Sequence, residues 1–516
     1  MFITAVFYLL TMYLLDGNSL TLEQLEQIAD AHIAVRLTPA AAAAVDRSRL
    51  VVDGKANGDA PVYGVNTGFG ALAETAIPRE SLGELQLNLL RSHAAGIGEP
   101  LPARAVRASM ALRANVLAKG FSGIRRETLE LFLELLNHRV HPVVPSRGSV
   151  GASGDLAPLA HLALVLAGEG FASVDGRPVQ PGAAALASVG LAPVVLQPKE
   201  GLALINGTQP STAIAALACT AAERLARAAD IAAALSIDAL RGSMRPFDRR
   251  IHEARPHRGQ AASAANLLRL LEGSPINKSH ENCGRVQDAY SLRCAPQVHG
   301  AARDALAFVR STLSIEANAA TDNPMVFGDA DEIVSGGNFH GAPIAIAADL
   351  LAIAVTQFAT ISERRSDRLV NPALSGLPAF LTADSGLQSG YMIAQVTAAA
   401  LASELKTLAH PASVDSIPTS ANKEDHVSMS MGASLKAERA VALASRVVAV
   451  EVLCACQAID LLAPLKTSTM LQPVHDFVRS IAPVLTIDRP PSPDIEGIAD
   501  AILSGTFERS CAAEVK

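Results

Sequence analysis

The stretch PIAIAADLLAIAVTQFATISERRSDRLV, from Pro343 to Val370, constrains the fold more than any other part of this 516-residue chain. After Pro343, itself suited to a first helical position, neither glycine nor proline interrupts it until Asn371-Pro372 supplies a stop. At 1.5 Å per residue such a helix runs about 42 Å, well beyond the ordinary globular length. The alanine-rich stretches 210–241, 299–320 and 431–463 read the same way. Hydrophobic residues make up 49% of the chain, aromatics only 4%, and tryptophan is absent, a balance that favours closely packed helices over sheet. The expectation is an all-α fold built on a long central bundle, whose helices can be shared between subunits.

Before that bundle the text is different. Residues 16–208 mix short helical patterns with glycine-rich loops, YGVNTGFGAL, SHAAGIGEPLP, PSRGSVGASGD and LINGTQPS, where chemistry usually sits. The expected organisation is an N-terminal extension over 1–15, a loop-rich region over 16–208, and a helical bundle with a C-terminal helical region over 209–516. The extension's apolar run ends at Leu15, short of the ~20 residues a spanning helix needs, and it lacks a basic leader and a cleavage site. It reads as a start-site extension or a docked helix, and the remaining long apolar runs are broken by charge, so no membrane partner is expected. A net charge of -7 leaves no basic footprint for nucleic acid. Six scattered cysteines without a Cys-x-x-Cys pair point to reduced thiols in the cytoplasm and away from zinc. His138 and His141 have no third ligand near them in sequence, so no metal is expected.

The loop GSVGASGDLAPLAHLALVLAGEG, residues 148–170, is the most unusual local feature. Gly148, Gly151 and Gly154 free the backbone, and Asp155 and Pro158 suit the first turn of a following helix. A glycine-rich loop opening a helix often binds phosphate, yet the spacings Gly-x4-Gly-Lys-Ser/Thr and Gly-x-Gly-x-x-Gly are both missing. Gly-x-Ser-x-Gly, the serine-hydrolase elbow, is missing too. On these residues alone the loop could be a plain glycine-rich turn.

Polar residues gather at five other places. Tyr63 and Tyr290, two of only five tyrosines, sit beside glycine, asparagine, glutamine and arginine, where a phenol can be either a buried hydrogen-bonded group or a base. Arg293 shares a helical face with Tyr290 and suits either a salt bridge or a two-pronged grip on a substrate carboxylate. Asn206 closes the apolar run of LINGTQ. TSANKEDHVSM sets Glu424, Asp425 and His426 among small and apolar residues, and RSHAAGIGEP supplies His93.

Taken together, YGVNTGFG, GSVGASGDLAPLAHLAL, LINGTQ, QDAYSLRCAPQVHG, TDNPMVF, GGNFHGAPIA and TSANKEDHVSM occur as they do in the aromatic amino-acid ammonia-lyases. The chain resembles that family from about residue 20 to its end, and within it the members that act on histidine. The resemblance implies a helical fold of the fumarase/aspartase-like superfamily. It implies that Ala152-Ser153-Gly154 cyclises unaided, with loss of two waters, to 4-methylideneimidazol-5-one, and that no external cofactor is used. The residue types suit that chemistry: Gly154 has no Cβ to keep its nitrogen from the Ala152 carbonyl, and Ser153 can shed its hydroxyl to become a methylene.

The implied reaction converts L-histidine to trans-urocanate and ammonia, the first step of histidine degradation. By resemblance Tyr63 is the β-proton base and Arg293 the carboxylate anchor, while Asn206, Gln287 and Tyr290 position substrate and electrophile and Phe339 packs beside the electrophile. The pair Ser92-His93 is typical of histidine enzymes, and Glu424 adds a carboxylate that can meet an imidazole N–H. The implied assembly is a homotetramer with sites built from three chains. Lys423 departs from the family, standing where glutamine is usual, and could point away from Glu424 or pair with it. The competing expectations are a phenylalanine or tyrosine lyase, a 2,3-aminomutase, and a silent helical scaffold.

Overall fold

All four long alanine-rich stretches form single helices, Gln209–Ala239, Ala295–Glu316, Ala342–Val370 and Ser430–Leu461, in the computed structural model, which describes residues 12–58, 60–281, 284 and 286–515. Pro343 is the second residue of its helix. The stop expected at Asn371-Pro372 is real: the Ala373 N–H donates to Asn371 Oδ1 at 3.0 Å, which caps the short turn Pro372–Ser375. Alanines from Ala213 to Ala234 are buried around the whole circumference of the first helix, because small side chains let neighbouring backbones close in. Gly300 serves the same end, since a Cβ there would lie 2.2 Å from Gln260 N. With 59% helix and 8% strand, the all-α expectation holds. Ala342–Val370 and Ser430–Leu461 are also long and apolar enough to cross a membrane, although Asp349 interrupts the first apolar run and Arg446 and Glu451 the second, and 72% and 83% of their apolar windows are buried inside the protein.

Two compact units form, one from residues up to Leu217 with Ser311–Ala347 and Pro411–Leu435, the other from Ala218–Arg310, Ala348–His410 and Lys436 onward. Four of the five boundaries fall inside the four long helices, and the fifth, at 410/411, follows the helix Met392–Leu408.

The first unit carries the short strands. Met12–Leu15 pairs in parallel with Ala34–Leu37, and Leu15 is buried. The end of the expected extension over 1–15 is therefore a strand of the fold and not a docked helix; residues 1–11 lie outside the described residues. Ile97–Pro100 pairs antiparallel with Pro145–Arg147, which sets the exit of the helix Leu82–His93 beside the start of the glycine-rich loop. Leu82–His93, Leu156–Leu164 and Glu200–Ile205 pack against one another. Gly201 permits the contact, since a Cβ there would meet Gln86 O at 2.6 Å. The ends of these three helices deliver His93, the Ala152-Ser153-Gly154 loop and Asn206.

The second unit has no strand among its described residues and is organised around buried ions. Asp230 accepts from Ser263 Oγ, Asn266 Nδ2, His299 and Arg303 at 2.6–2.9 Å. Burial pushes its carboxyl up, but Arg303 and His299 outweigh that and hold it well below the usual range. Arg365 and Glu451, both fully buried, form a second pair; Ser236 Oγ donates to Glu451 at 2.7 Å, and Arg365 Nη1 donates to Ser291 O at 3.3 Å.

Candidate active site

Ala152, Ser153 and Gly154 occupy the bend that enters the helix Leu156–Leu164, with Gly151 and Gly154 at φ +67° and +73°, the left-handed region that favours glycine. A Cβ on Gly154 would stand 2.1 Å from Gly207 O, and one on Gly151 would stand 2.3 Å from the hydroxyls of Ser428 and Ser430. The loop is clamped by backbone. The Asp155 N–H donates to Gly207 O at 2.7 Å, the Gly341 N–H to Gly151 O at 3.1 Å, and the Met429 N–H to Val150 O at 2.8 Å. Asp155 does not cap its own helix. Its buried carboxylate accepts instead from Ser149 Oγ at 2.6 Å and from Ser211 N at 2.8 Å, capping the first turn of Gln209–Ala239. Burial raises its pKa and these hydrogen bonds oppose the rise.

Beside the loop lies a cavity of about 270 Å³ whose lining includes Tyr63, His93, Ser153, Asn206, Ser420 and Glu424, with Phe69, Leu72, Leu89 and Leu202 among its apolar walls. Five of the residues expected at the site thus share one space. Tyr63 Oη accepts from the Gly70 N–H at 3.4 Å, and the Phe69 ring stands edge-on at 6.4 Å. His93 Nδ1 lies 2.9 Å from Leu89 O and 3.0 Å from Ser92 Oγ, and that hydroxyl is itself 3.0 Å from Leu89 O. A carbonyl can only accept, so the network places the ring proton on Nδ1 and leaves Nε2 with a free lone pair. Burial lowers the His93 pKa, opposed by Leu89 O and Glu424, which keeps the ring neutral at pH 7.

Glu424 is held at both oxygens. Oε1 accepts from Ser153 Oγ at 2.8 Å, and Oε2 accepts from Thr419 Oγ1 at 2.5 Å and Ser420 Oγ at 2.9 Å. The turn beneath it is strained: Ser420, Ala421 and Asn422 take φ of 50°, 53° and 65°, at a cost of about 1–3 kcal/mol each. The Glu424 side chain and the Thr419–Glu424 backbone pair hold that turn closed. Lys423 is exposed and makes no ion pair with Glu424 among the described residues, so of the two expectations for it the structure takes the one in which it points away. Asn206 Nδ2 donates to Ser153 O at 3.3 Å, while its buried Oδ1 has no partner.

Gln287, Tyr290 and Arg293 belong to the second unit. Gln287 and Arg293 help line a separate cavity of about 350 Å³, Tyr290 is exposed, and the Arg293 guanidinium stacks 4.8 Å over the Tyr290 ring, as their shared helical face implies. Arg293 Nε is buried without a partner. Phe339 is half-buried, two residues before Gly341, and does not line the first cavity. Sequence reasoning missed Ser420, Thr419 and Ser211, whose small polar side chains carry no signal until a carboxylate is placed beside them. It also missed Gly207, visible only as the glycine of LINGTQ.

Residues 20–480 match the family model described as aromatic amino acid lyase. A histidine ammonia-lyase of Anaeromyxobacter sp. (strain K) is 56% identical over 96% of this chain and 99% of its own length. The crystal structure of histidine ammonia-lyase from Trypanosoma cruzi superposes with a TM-score of 0.91 at 45% identity, covering 97% of this chain and 95% of that one. That of a tyrosine aminomutase from Streptomyces globisporus gives 0.92 at 39% identity, covering 98% and 100%. The chain is a carbon–nitrogen lyase and belongs to the aromatic amino acid lyase family.

Proposed function

We propose that this enzyme deaminates L-histidine to trans-urocanate and ammonia in the cytoplasm, through 4-methylideneimidazol-5-one made from its own Ala152-Ser153-Gly154. The observation that carries the substrate is the pairing, on one cavity wall with Ser153, of a His93 Nε2 lone pair and the Glu424 carboxylate, which offers the two N–H groups of a protonated imidazole two hydrogen-bond acceptors. The relatives named histidine ammonia-lyase support the same substrate.

The residues present fit the group. Only glycine fits at 154 against Gly207 O, the loop is pinned on both sides of the tripeptide, and the Ser153 hydroxyl that must leave already donates to Glu424. In place, the group supplies an electrophilic methylene that captures the substrate and turns its amine into a leaving group. Loss of the Ser153 hydroxyl releases Glu424 Oε1 for the substrate ring. Tyr63 Oη takes the β-proton, its oxygen positioned by the Gly70 N–H. His93 Nε2 accepts from an imidazole N–H, while the apolar walls around Leu89 and Leu202 exclude water. Arg293 grips the substrate carboxylate, its Nε and stacked guanidinium being ready for a two-pronged contact. Gln287 and Tyr290 orient the amino acid beside it, and Phe339 packs by the electrophile.

Tyr63 and Arg293 come from different units, and the reading is completed by a homotetramer in which three chains furnish each site. The test is incubation of the purified protein with L-histidine, L-phenylalanine and L-tyrosine separately, following absorbance of the unsaturated acid. Urocanate from histidine, well ahead of the other two acids, is expected. Faster cinnamate or coumarate formation, or a β-amino acid product, overturns the histidine reading in favour of another lyase or an aminomutase.

A further inference from the structure

Against the Asn206-Gly207 turn that abuts the tripeptide lies a fully buried cation. Arg113, on the helix Ala103–Ala118, donates from Nη1 to Asn206 O at 2.9 Å and to Gln209 Oε1 at 2.8 Å, and from Nη2 to Ala203 O. Gln209 is fixed in turn, its Nε2 donating to Thr321 Oγ1 at 2.8 Å. The guanidinium therefore gathers the last carbonyls of the helix Glu200–Ile205 and of its cap Asn206, where a cation is favoured. Burial lowers its pKa to about 10, so it stays charged at neutral pH.

The contact continues forward. A Cβ on Gly207 would lie 2.4 Å from Arg113 Nη1 and 2.4 Å from Gln209 Oε1, and a Cβ on Gly154 would lie 2.1 Å from Gly207 O. Arg113, Gly207 and Gly154 are stacked without room for a methyl group at either junction. Gly207 O also accepts from the Asp155 N–H, and Asn206 Nδ2 donates to Ser153 O. The first of these bonds ends on the Gly207 carbonyl and the second starts from the Asn206 side chain, so the ties between the loop and the 206–207 turn are made by two residues whose shared backbone Arg113 holds.

We propose that Arg113 is a positioning residue for self-cyclisation: it holds the Asn206-Gly207 turn as a backstop that keeps Gly154 N against the Ala152 carbonyl. This rests on the reading that the tripeptide cyclises. In that step the Gly154 nitrogen bonds to the Ala152 carbonyl carbon, and the carbonyl oxygen leaves as water with the hydrogens of Gly154 N and Ser153 N. Ser153 then loses its Cα hydrogen and its hydroxyl as a second water, leaving a carbon–carbon double bond. No oxidant or co-reactant is needed, so the chain's contribution is geometry.

The test follows intact mass with time from the start of folding of newly synthesised chain that has not yet cyclised, together with cooperative unfolding as the measure of fold. Wild type should become lighter by two waters. Arg113→Met should fold but cyclise at least about tenfold more slowly, the slowing that corresponds to about 1.4 kcal/mol of lost pre-organisation. Arg113→Lys, which retains the charge and one carbonyl contact, should fall between. Thr321→Val removes only the anchor of Gln209 and supplies the answer should Arg113→Met fail to fold; it too should slow the loss of water. Cooperatively folded Arg113→Met or Thr321→Val protein that loses both waters at the wild-type rate overturns the proposal alone. A wild-type chain that keeps its full mass overturns the cyclisation reading and this proposal with it.

Discussion

Replacing both His93 by leucine and Glu424 by alanine should move the enzyme's preference from histidine toward phenylalanine. In the wild-type cavity a phenyl ring leaves the His93 Nε2 lone pair and Glu424 Oε1 without partners, at about 1–3 kcal/mol each. For two groups the penalty is about 2–6 kcal/mol, or a discrimination of about 30-fold to about 10⁴-fold in kcat/KM. The double variant removes that penalty, so the histidine-to-phenylalanine ratio should collapse by the same factor, through loss on histidine and relative gain on phenylalanine. The single variants should each account for part of it, and a double-mutant cycle should show coupling because both touch one ring. The assay is initial-rate absorbance of urocanate and cinnamate on protein whose mass shows completed cyclisation, so that a maturation defect is not mistaken for a specificity change. An unchanged ratio in folded, mature double variant refutes the reasoning and places substrate choice elsewhere.

Glu451→Ala should destabilise the second unit by about 3–5 kcal/mol in urea unfolding, because it strands Arg365 as an unpaired charge in a fully buried site. Burial, with Arg107 beside it, pushes the His141 pKa down to about 4. The unfolded chain therefore binds a proton there between about 6.5 and 4 that the folded one does not, and stability falls as pH drops through that window. The urea midpoint should fall less between pH 7 and pH 5 in His141→Gln than in wild type, and an equal fall contradicts the assignment. Lys423→Gln should leave kcat/KM for histidine unchanged, since the lysine is exposed and unpaired with Glu424; a clear gain in kcat/KM contradicts that placement.

The long helices could be read from sequence because their cause is local: alanine-rich text without glycine or proline from Pro343 to Val370 has little choice but to be a rod. The Ala152-Ser153-Gly154 loop was readable for another reason, since a backbone without side chains at 148, 151 and 154 is needed by few structures. What escaped was whatever depends on partners far along the chain. Asp155 looked suited to the helix beginning at Leu156, yet it caps the one beginning at Gln209, because Gly207 brings that helix against it. Arg113 sits in ARAVRASMALRANVLA, where an arginine reads as a solvated face, and only the turn at Asn206 explains its burial. Met12–Leu15 became a strand because Ala34–Leu37 offers it an edge. The left-handed run at Ser420, Ala421 and Asn422 has no glycine to announce it; the Glu424 carboxylate holds it from four residues away.

The intact mass of the purified, untreated protein tests the central claim most directly. An enzyme that makes its electrophile from Ala152-Ser153-Gly154 must be lighter than its sequence by two waters, and Ser153→Ala, which has no hydroxyl to lose, must be lighter than its own sequence by no more than one water and must not turn over histidine. A wild-type mass equal to that of the unmodified 516-residue sequence, in protein that still converts histidine to urocanate, contradicts the account.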